Sequence, residues 1–405
     1  MKSLAILDLS YNHNLKRLPN SLSDLTSLVS LVLKGCEDLK NIPPLGGLKN
    51  LSRLVISMTS VEQVLGLEML TNLRWLDLSW NYELSLESGS VLRGLTNLQY
   101  LNLFNAGQLN VELEDVQGLT TLERFVAYFL GHESYNNYVK SIWNRGSGPR
   151  DYFLYFGEIY DSEWICDAYD AIEPIVGHYQ ILYFFDCVES PHLLPKDLSN
   201  IYIESNTDWK SLCGALSCNA PSSLITIDIG RCTEMKSLFC LFGNCSFCTN
   251  LKNLQCLELW YLESLRVICK EDVAETDTDT DTDTTTQLLS PKVVVFSHLR
   301  RLRISHCYEI ETLVTAGLLS QLQNLQTLTI EFCISLREIF AASSSDAEGA
   351  STITLCNFTT LELIDLPMLE SVCKGIIICP SLQKLNIKNC PKLESRSPFQ
   401  VSLSS

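Results

Sequence analysis

Hydrophobic residues recur along most of this chain in one arrangement, Leu-x-x-Leu-x-Leu-x-x-Asn/Cys. The first copy is LAILDLSYN, from Leu4 to Asn12, and the last is LQKLNIKNC, from Leu382 to Cys390. The Leu-x-Leu alternation inside each copy is the period-two mark of a short strand. Alternate side chains of a strand point to opposite faces, so the leucines share a core face and the residues between them share the other. With the second leucine as phase marker, copies fall at Leu7, Leu31, Leu54, Leu76, Leu101 and Phe125. A degenerate stretch follows, with markers at Leu154, Leu182 and Ile201. The pattern recovers at Ile227, Leu257, Leu302, Leu328, Leu361 and Leu385.

A unit of this length cannot bury its apolar face alone, so copies must stack and share one core. The expected fold is α/β: a solenoid, or horseshoe, with one curved parallel β-sheet on its concave face. Segments such as Ser23-Asp24-Leu25 predict a convex face of loops and short helical turns. Three regions are expected: regular repeats over 1–130, degenerate repeats with insertions over 131–221, and Cys-type repeats over 222–405. The tracts HESYNNYVKSIWNRGSGPR and EIYDSEWICDAYDAIEP read as long convex loops or insertions. Two segments of the third region, 274–287 and 341–351, hold no hydrophobic cluster to bury and are expected to be disordered.

Apolar residues make up 46% of the chain, enough for an ordered core. No apolar run approaches the roughly 20 residues of a membrane helix. The opening MKSLAILDLS is already a repeat strand, which argues against a signal peptide. The net charge is −17. Residues 151–290, with 7 Lys/Arg and 23 Asp/Glu, carry −16 of it. That field disfavours nucleic acid as a partner. Of 17 cysteines, Cys36, Cys187, Cys232, Cys307, Cys333 and Cys390 occupy the Asn/Cys slot. There a thiol serves as a small buried residue with a weak donor. Free thiols in such number point to a reducing, cytoplasmic setting.

Candidate chemistry is sparse. Alternating Asp277, Asp279, Asp281 and Asp283 resemble the start of a calcium loop. Thr282 and Leu288 stand where an EF-hand needs Gly and Glu, so the run reads as a solvated loop. Cys240, Cys245 and Cys248 include a C-x-x-C and lie near Cys256. Without a partner C-x-x-C or H-x-x-x-H the zinc ligand set is incomplete, and no metal or cofactor is expected. No phosphate-binding loop and no Ser-His-Asp or Cys-His signature is present, so no catalysis is expected. Sequons at Asn50, Asn244 and Asn357 read as accidental in a thiol-rich chain.

The concave face is the expected binding surface. Aromatic residues cluster at positions that alternation assigns to it: Trp75, Trp80, Tyr100, Phe104, Tyr128, Phe129, Tyr183 and Phe185, then Trp260 and Tyr261. Such side chains supply contact area and dominate protein–protein hot spots. Arg301, Arg303, Lys384 and Lys388 add basic groups, suited to an acidic partner or to the chain's own acidic middle.

The stretch LPNSLSDLTSLVSLVLKGCEDLKNIPPLGGLKNLSRL, Leu18 to Leu54, resembles the leucine-rich repeats of plant coiled-coil-type NLR disease resistance proteins. LRRLRISHCYEIETL, LQTLTIEFCISLREIF and LPMLESVCKGIIICPSLQKLNIKNCPKLES resemble their distal repeats, where the slot drifts from Asn to Cys. Here it drifts from Asn12 and Asn81 to Cys307, Cys333 and Cys390. The resemblance implies recognition of a pathogen effector, or of a host protein that the effector modifies. It also implies an intramolecular contact to a nucleotide-binding domain. No capping unit precedes Leu4, so a fragment of such a receptor is expected. The alternatives are an extracellular leucine-rich-repeat ectodomain, whose L-x-G-x-I-P form and cysteine caps are missing, and a ubiquitin-ligase adaptor, whose F-box-like segment is missing.

Overall fold

A computed structural model describes residues 3–86, 90–106, 116, 118–129, 132–145, 148–157, 178–187, 193–216, 220–240, 245–270, 295–319, 321–341, 352–373 and 376–394. The acidic run at Asp277–Asp283, the segment 274–287, residues 342–351, the tract from Glu158 to Pro174, and Cys166, Cys218 and Asn244 lie outside them. The chain forms two compact units, Met1–Tyr183 and Phe184–Ser405. Among the described residues no helix is long and apolar enough to cross a membrane.

Each unit is built on parallel strands that pair in chain order. In the first, Ile6–Asp8 pairs with Ser30–Val32, then come Arg53–Val55, Trp75–Asp77, Tyr100–Asn102, Arg124–Phe129 and Asp151–Gly157. The leucine markers are in register: Leu7 faces Leu31, Leu31 faces Leu54, and Leu76 faces Leu101. One marker needs correction. Phe125 pairs with Tyr152, and Leu154 pairs with Ala127. The slip is two residues, so both still face the core, because a strand repeats every second residue. In the second unit Ile201, Ile227, Leu257, Leu302, Leu328, Leu361 and Leu385 form one continuous register. All of these except Leu385 are buried, so the stacked markers form the spine of the core.

Most strands of the main sheet are followed by the same turn. A residue with positive φ stands immediately before the Asn/Cys slot: Tyr11, Trp80, Ser205, Arg231, His306, Phe332 and Asn389 among others, while Met58 does the same before Thr59. Gly35 holds that position once, with φ of 70°. Slot side chains then satisfy the carbonyls that the turn leaves open. Asn81 Nδ2 donates to Leu78 O at 2.8 Å and to Ile56 O in the preceding repeat, while its Oδ1 accepts from Thr59 N at 3.0 Å. Thiols do the donor half of this work. Cys36 Sγ donates to Leu9 O at 3.0 Å and Cys232 Sγ to Gly230 O at 3.2 Å. All six slot cysteines are buried, and none of them is in a disulfide. Their role as packing donors agrees with the sequence reading. Burial pushes the Cys187 and Cys232 thiols up to about 12, so they stay protonated donors.

The returning side of the repeats departs from expectation in three ways. The first tract of the degenerate region is not a loop, since His132–Arg145 is a 14-residue helix. Tyr135, Tyr138 and Val139, at helical spacing, bury against the first unit's core, and Tyr138 lies 5.2 Å from Phe125. Second, short parallel strands flank the second unit: Ser237–Cys240 with Val267–Lys270, and Thr312–Val314 with Glu338–Phe340 and Ser371–Cys373. Third, a second hydrogen-bond ladder precedes the strands. Asn50 donates to Thr26 O, Asn72 to Lys49 O, Asn97 to Thr71 O, Asn253 to Ser222 O and Asn324 to Ser297 O, all at 2.7–2.9 Å. The sequon asparagines Asn50 and Asn357 belong to this ladder; Asn357 reaches Gln323 O at 3.1 Å.

Candidate functional site: the open face of the strands

In each unit the residues between the strand leucines form an open sheet face, and the structure sorts the predicted aromatic residues into two groups. Trp75 and Tyr100 stand on adjacent strands in register and stack with centroids 3.7 Å apart and planes 8° from parallel. The Arg53 guanidinium sits 5.0 Å over the Trp75 ring. Tyr128, Tyr183 and Phe185 are half-buried. Tyr155, which the sequence reading did not single out, lies 5.4 Å from both Tyr128 and Tyr183 and is buried.

Trp80, Phe104 and Phe129 are not on the open face. Trp80 is 9% exposed, Phe104 0% and Phe129 2%. The strands of the first two end at Asp77 and Asn102, so alternation no longer applies at residues 80 and 104. The turn swings the Trp80 ring edge-on to Phe104, at 5.4 Å, and Phe104 continues to Phe153 at 5.7 Å. Phe129 has the parity of Phe125 and Ala127, which are also buried, and packs on Tyr135 of the helix.

In the second unit Trp260 is half-buried. Its indole lies against Gly230 of the neighbouring strand and its Nε1 donates to Asp228 at 2.6 Å. Arg231 covers the ring at 5.4 Å and itself pairs with Glu204 at 3.1 Å. The Asp228 carboxyl is pushed up to about 6, first by burial; the Trp260 hydrogen bond opposes the shift, and the Glu258 and Glu204 charges add to it. Tyr261, His306 and Phe332, all positive-φ turn residues, stack in sequence at 4.2 and 4.6 Å. Tyr261 and Phe332 are each 40% exposed. His306 and Phe332 were not predicted; the only signal was their position before a slot cysteine.

The basic residues meet the chain's own acids across the sheet. Arg303 pairs with Glu331 at 3.0 Å, Lys384 with Glu362 at 2.6 Å, and Arg301 approaches Glu258 at 3.9 Å. The hydrogen bond from Lys384 holds the Glu362 carboxyl below its ordinary value. The basic partner of each pair is more than half exposed, so these pairs pattern the surface more than they stabilise it. Another network escaped the sequence reading. Asp151, buried in the first unit, takes Arg124 at 3.3 Å, His178 at 3.0 Å and the Tyr179 amide at 3.3 Å.

One further cluster lies off the open face. Cys213, Cys240, Cys245 and Cys248 converge, with all four Sγ atoms within 4.8 Å of one another. The fourth member is Cys213, one repeat upstream. Cys256, the neighbour suggested by sequence, lies in the Cys256–Trp260 strand with its thiol against Glu258 at 3.5 Å. The hydrogen bond from Cys248 pulls the Cys213 thiol down to about 6, against the opposing effect of burial. Burial pushes Cys240 up to about 12.

The comparisons with known proteins agree with the repeat type. The family of plant disease resistance protein RPS2-like leucine-rich repeats matches residues 277–404. A probable disease resistance protein of Arabidopsis thaliana is 30% identical over 98 residues, 24% of this chain and 11% of that protein. A putative disease resistance protein of the same plant is 25% identical over 396 residues, 95% of this chain and 28% of that protein. The chain thus spans under a third of the length of either relative. Among solved structures, an internalin of Listeria monocytogenes aligns with a TM-score of 0.47 and 15% identity, over 100% of this chain and 88% of that one. The chain is a leucine-rich-repeat solenoid, and over residues 277–404 its repeats are similar to those of plant disease resistance proteins.

Proposed function

We propose that this chain is the protein-recognition module of an intracellular plant immune receptor, binding a pathogen effector or a host protein that an effector has modified. The observation that carries this reading is the repeat type, together with an open strand face bearing half-buried aromatics beside charged residues. Trp75 with Tyr100, Tyr128 with Tyr183, Phe185, and Trp260 with Tyr261 supply the contact area. Arg301 and Arg303 supply charge that a partner's carboxylates would share with Glu258 and Glu331. Interfaces built this way draw most of their energy from a few large side chains. An intramolecular contact with a nucleotide-binding domain belongs to the same reading. No catalytic step is assigned to the chain.

The test uses the full-length gene product and a panel of effectors, each with its candidate host target. Binding is measured for the parent and for a variant carrying Trp75→Ala, Tyr100→Ala and Trp260→Ala, with circular dichroism to verify folding. Each hot-spot aromatic is expected to weaken binding by about 2 kcal/mol. Unchanged affinity in a folded triple variant would exclude this face as the binding site.

A further inference from the structure

The geometry points to a structural tetrathiolate zinc site formed by Cys213, Cys240, Cys245 and Cys248 on the returning side of the second unit. Cys213 lies in the Leu212–Ala215 helix, capped by Ser211, whose Oγ accepts from Gly214 N at 3.1 Å. Cys240 ends the Ser237–Cys240 strand. Cys245 caps the Ser246–Asn250 helix, and Cys248, fully buried, lies within it. Two adjacent repeats therefore contribute one thiol and three, the three at C-x4-C-x2-C spacing.

The distances separate a metal site from the alternatives. Cys213 and Cys240 sulfurs are 3.6 Å apart, and Cys240 and Cys248 sulfurs 3.8 Å. Four sulfurs held tetrahedrally about 2.3 Å from one ion stand about 3.8 Å apart. A disulfide would bring its two sulfurs to about 2.0 Å. The slot cysteines turn their sulfurs to backbone carbonyls, as Cys36 and Cys232 do. These four stand outside the slot and turn theirs to one another. Cys245 Sγ also accepts the Cys248 amide at 3.4 Å, the outer-shell hydrogen bond expected of a thiolate ligand. Ser211, Ser237, Ser246, Phe247 and Lys270 line the adjoining cavity, which gives the ion a path in, and Lys270 brings a positive charge toward a centre of net charge −2.

On loading, each sulfur that is still protonated releases its proton to solvent as its bond to Zn2+ forms, and no redox change is involved. The site would tie together one-turn helices too short to persist alone. It would staple neighbouring repeats where the returning segments are otherwise held by few strand bonds. This role stands apart from partner recognition on the open face and is tested separately.

The experiment uses the purified chain under reducing conditions. Metal analysis is expected to find about one zinc per chain, and replacement by Co2+ to give the strong thiolate charge-transfer and visible bands of a tetrahedral four-sulfur site. Cys213→Ser is expected to lose most of the zinc, and Cys256→Ser to retain it with the same cobalt spectrum. If Cys213→Ser does not fold, the cobalt spectrum of the parent, and a fall in its melting temperature on chelation that returns when zinc is added back, still decide the matter. Parent protein without stoichiometric zinc, a cobalt spectrum lacking the four-sulfur signature, an iron-coloured protein, or loss of metal in Cys256→Ser would each overturn the assignment.

Discussion

Trp260 lies across Gly230, on the next strand of the second unit, in space that a β-carbon at position 230 would fill. The absence of a side chain at one residue sets where the indole of the other rests. It also brings Nε1 to Asp228, so that a large apolar ring and a half-buried carboxylate share one spot on the open face. Gly230→Ala should expel the ring at a cost of about 1–3 kcal/mol, the usual range for overpacking. Gly230→Ala combined with Trp260→Ala should cost less than the sum of the single changes. Chemical denaturation followed by far-ultraviolet circular dichroism measures the cycle, and strict additivity would show that the contact is not formed.

Asp228 gives the second prediction. Its carboxyl titrates higher in the folded chain, at about 6, than its ordinary value of 3.8. The folded state therefore binds the proton more tightly than the unfolded state. The strain on this group is present at neutral pH and is relieved as pH falls from about 6 to about 4. Glu362 acts in the opposite sense, because Lys384 lowers its value. Asp228→Asn keeps an acceptor for Trp260 and removes the charge. It should stabilise the protein at neutral pH by on the order of 2–3 kcal/mol, and that advantage should vanish near pH 4. Parallel stability-against-pH curves for the two proteins provide the check; a constant gap between them would contradict the assignment.

Trp80 and Phe104 belong to the core of the first unit, so their removal should act on stability. Trp80→Ala and Phe104→Ala should each cost about 3–5 kcal/mol, as large-to-small core changes do. Trp75→Ala, at a half-exposed stack, should cost about 1 kcal/mol. If the three variants unfold at the same denaturant concentration, the division between core and surface aromatics is wrong.

The cysteines supply a fourth prediction. None of the fifteen described cysteines is in a disulfide, and the slot thiols donate to carbonyls inside the core. Thiol titration in denaturant with a chelator, without prior reduction, should find all seventeen of the chain's cysteines. Slot thiols should react only on unfolding, because burial keeps Cys187 and Cys232 protonated and inaccessible. Recovery of native disulfides would argue against a reducing compartment.

The leucine pattern by itself determined the strands of the main sheet, their parallel order and nearly every register, because stacked copies of one repeated unit have only one way to bury their shared face. It also determined the fate of the six slot cysteines, whose neighbours are fixed by local turn geometry. Tertiary structure alone decided what lies across repeats. The direction of Trp80 depends on a turn that ends the alternation, and the helix at His132–Arg145 depends on apolar cover for Tyr135 and Tyr138. Cys213 meets Cys240 only because 27 residues of chain return to the same level one repeat later. Trp260 finds its seat only because Gly230 stands beside it, 30 residues away in sequence and one strand away in space. Periodicity describes each repeat along its own length. Contacts between returning segments depend on how neighbouring repeats stack, and a pattern read along one strand does not contain that distance.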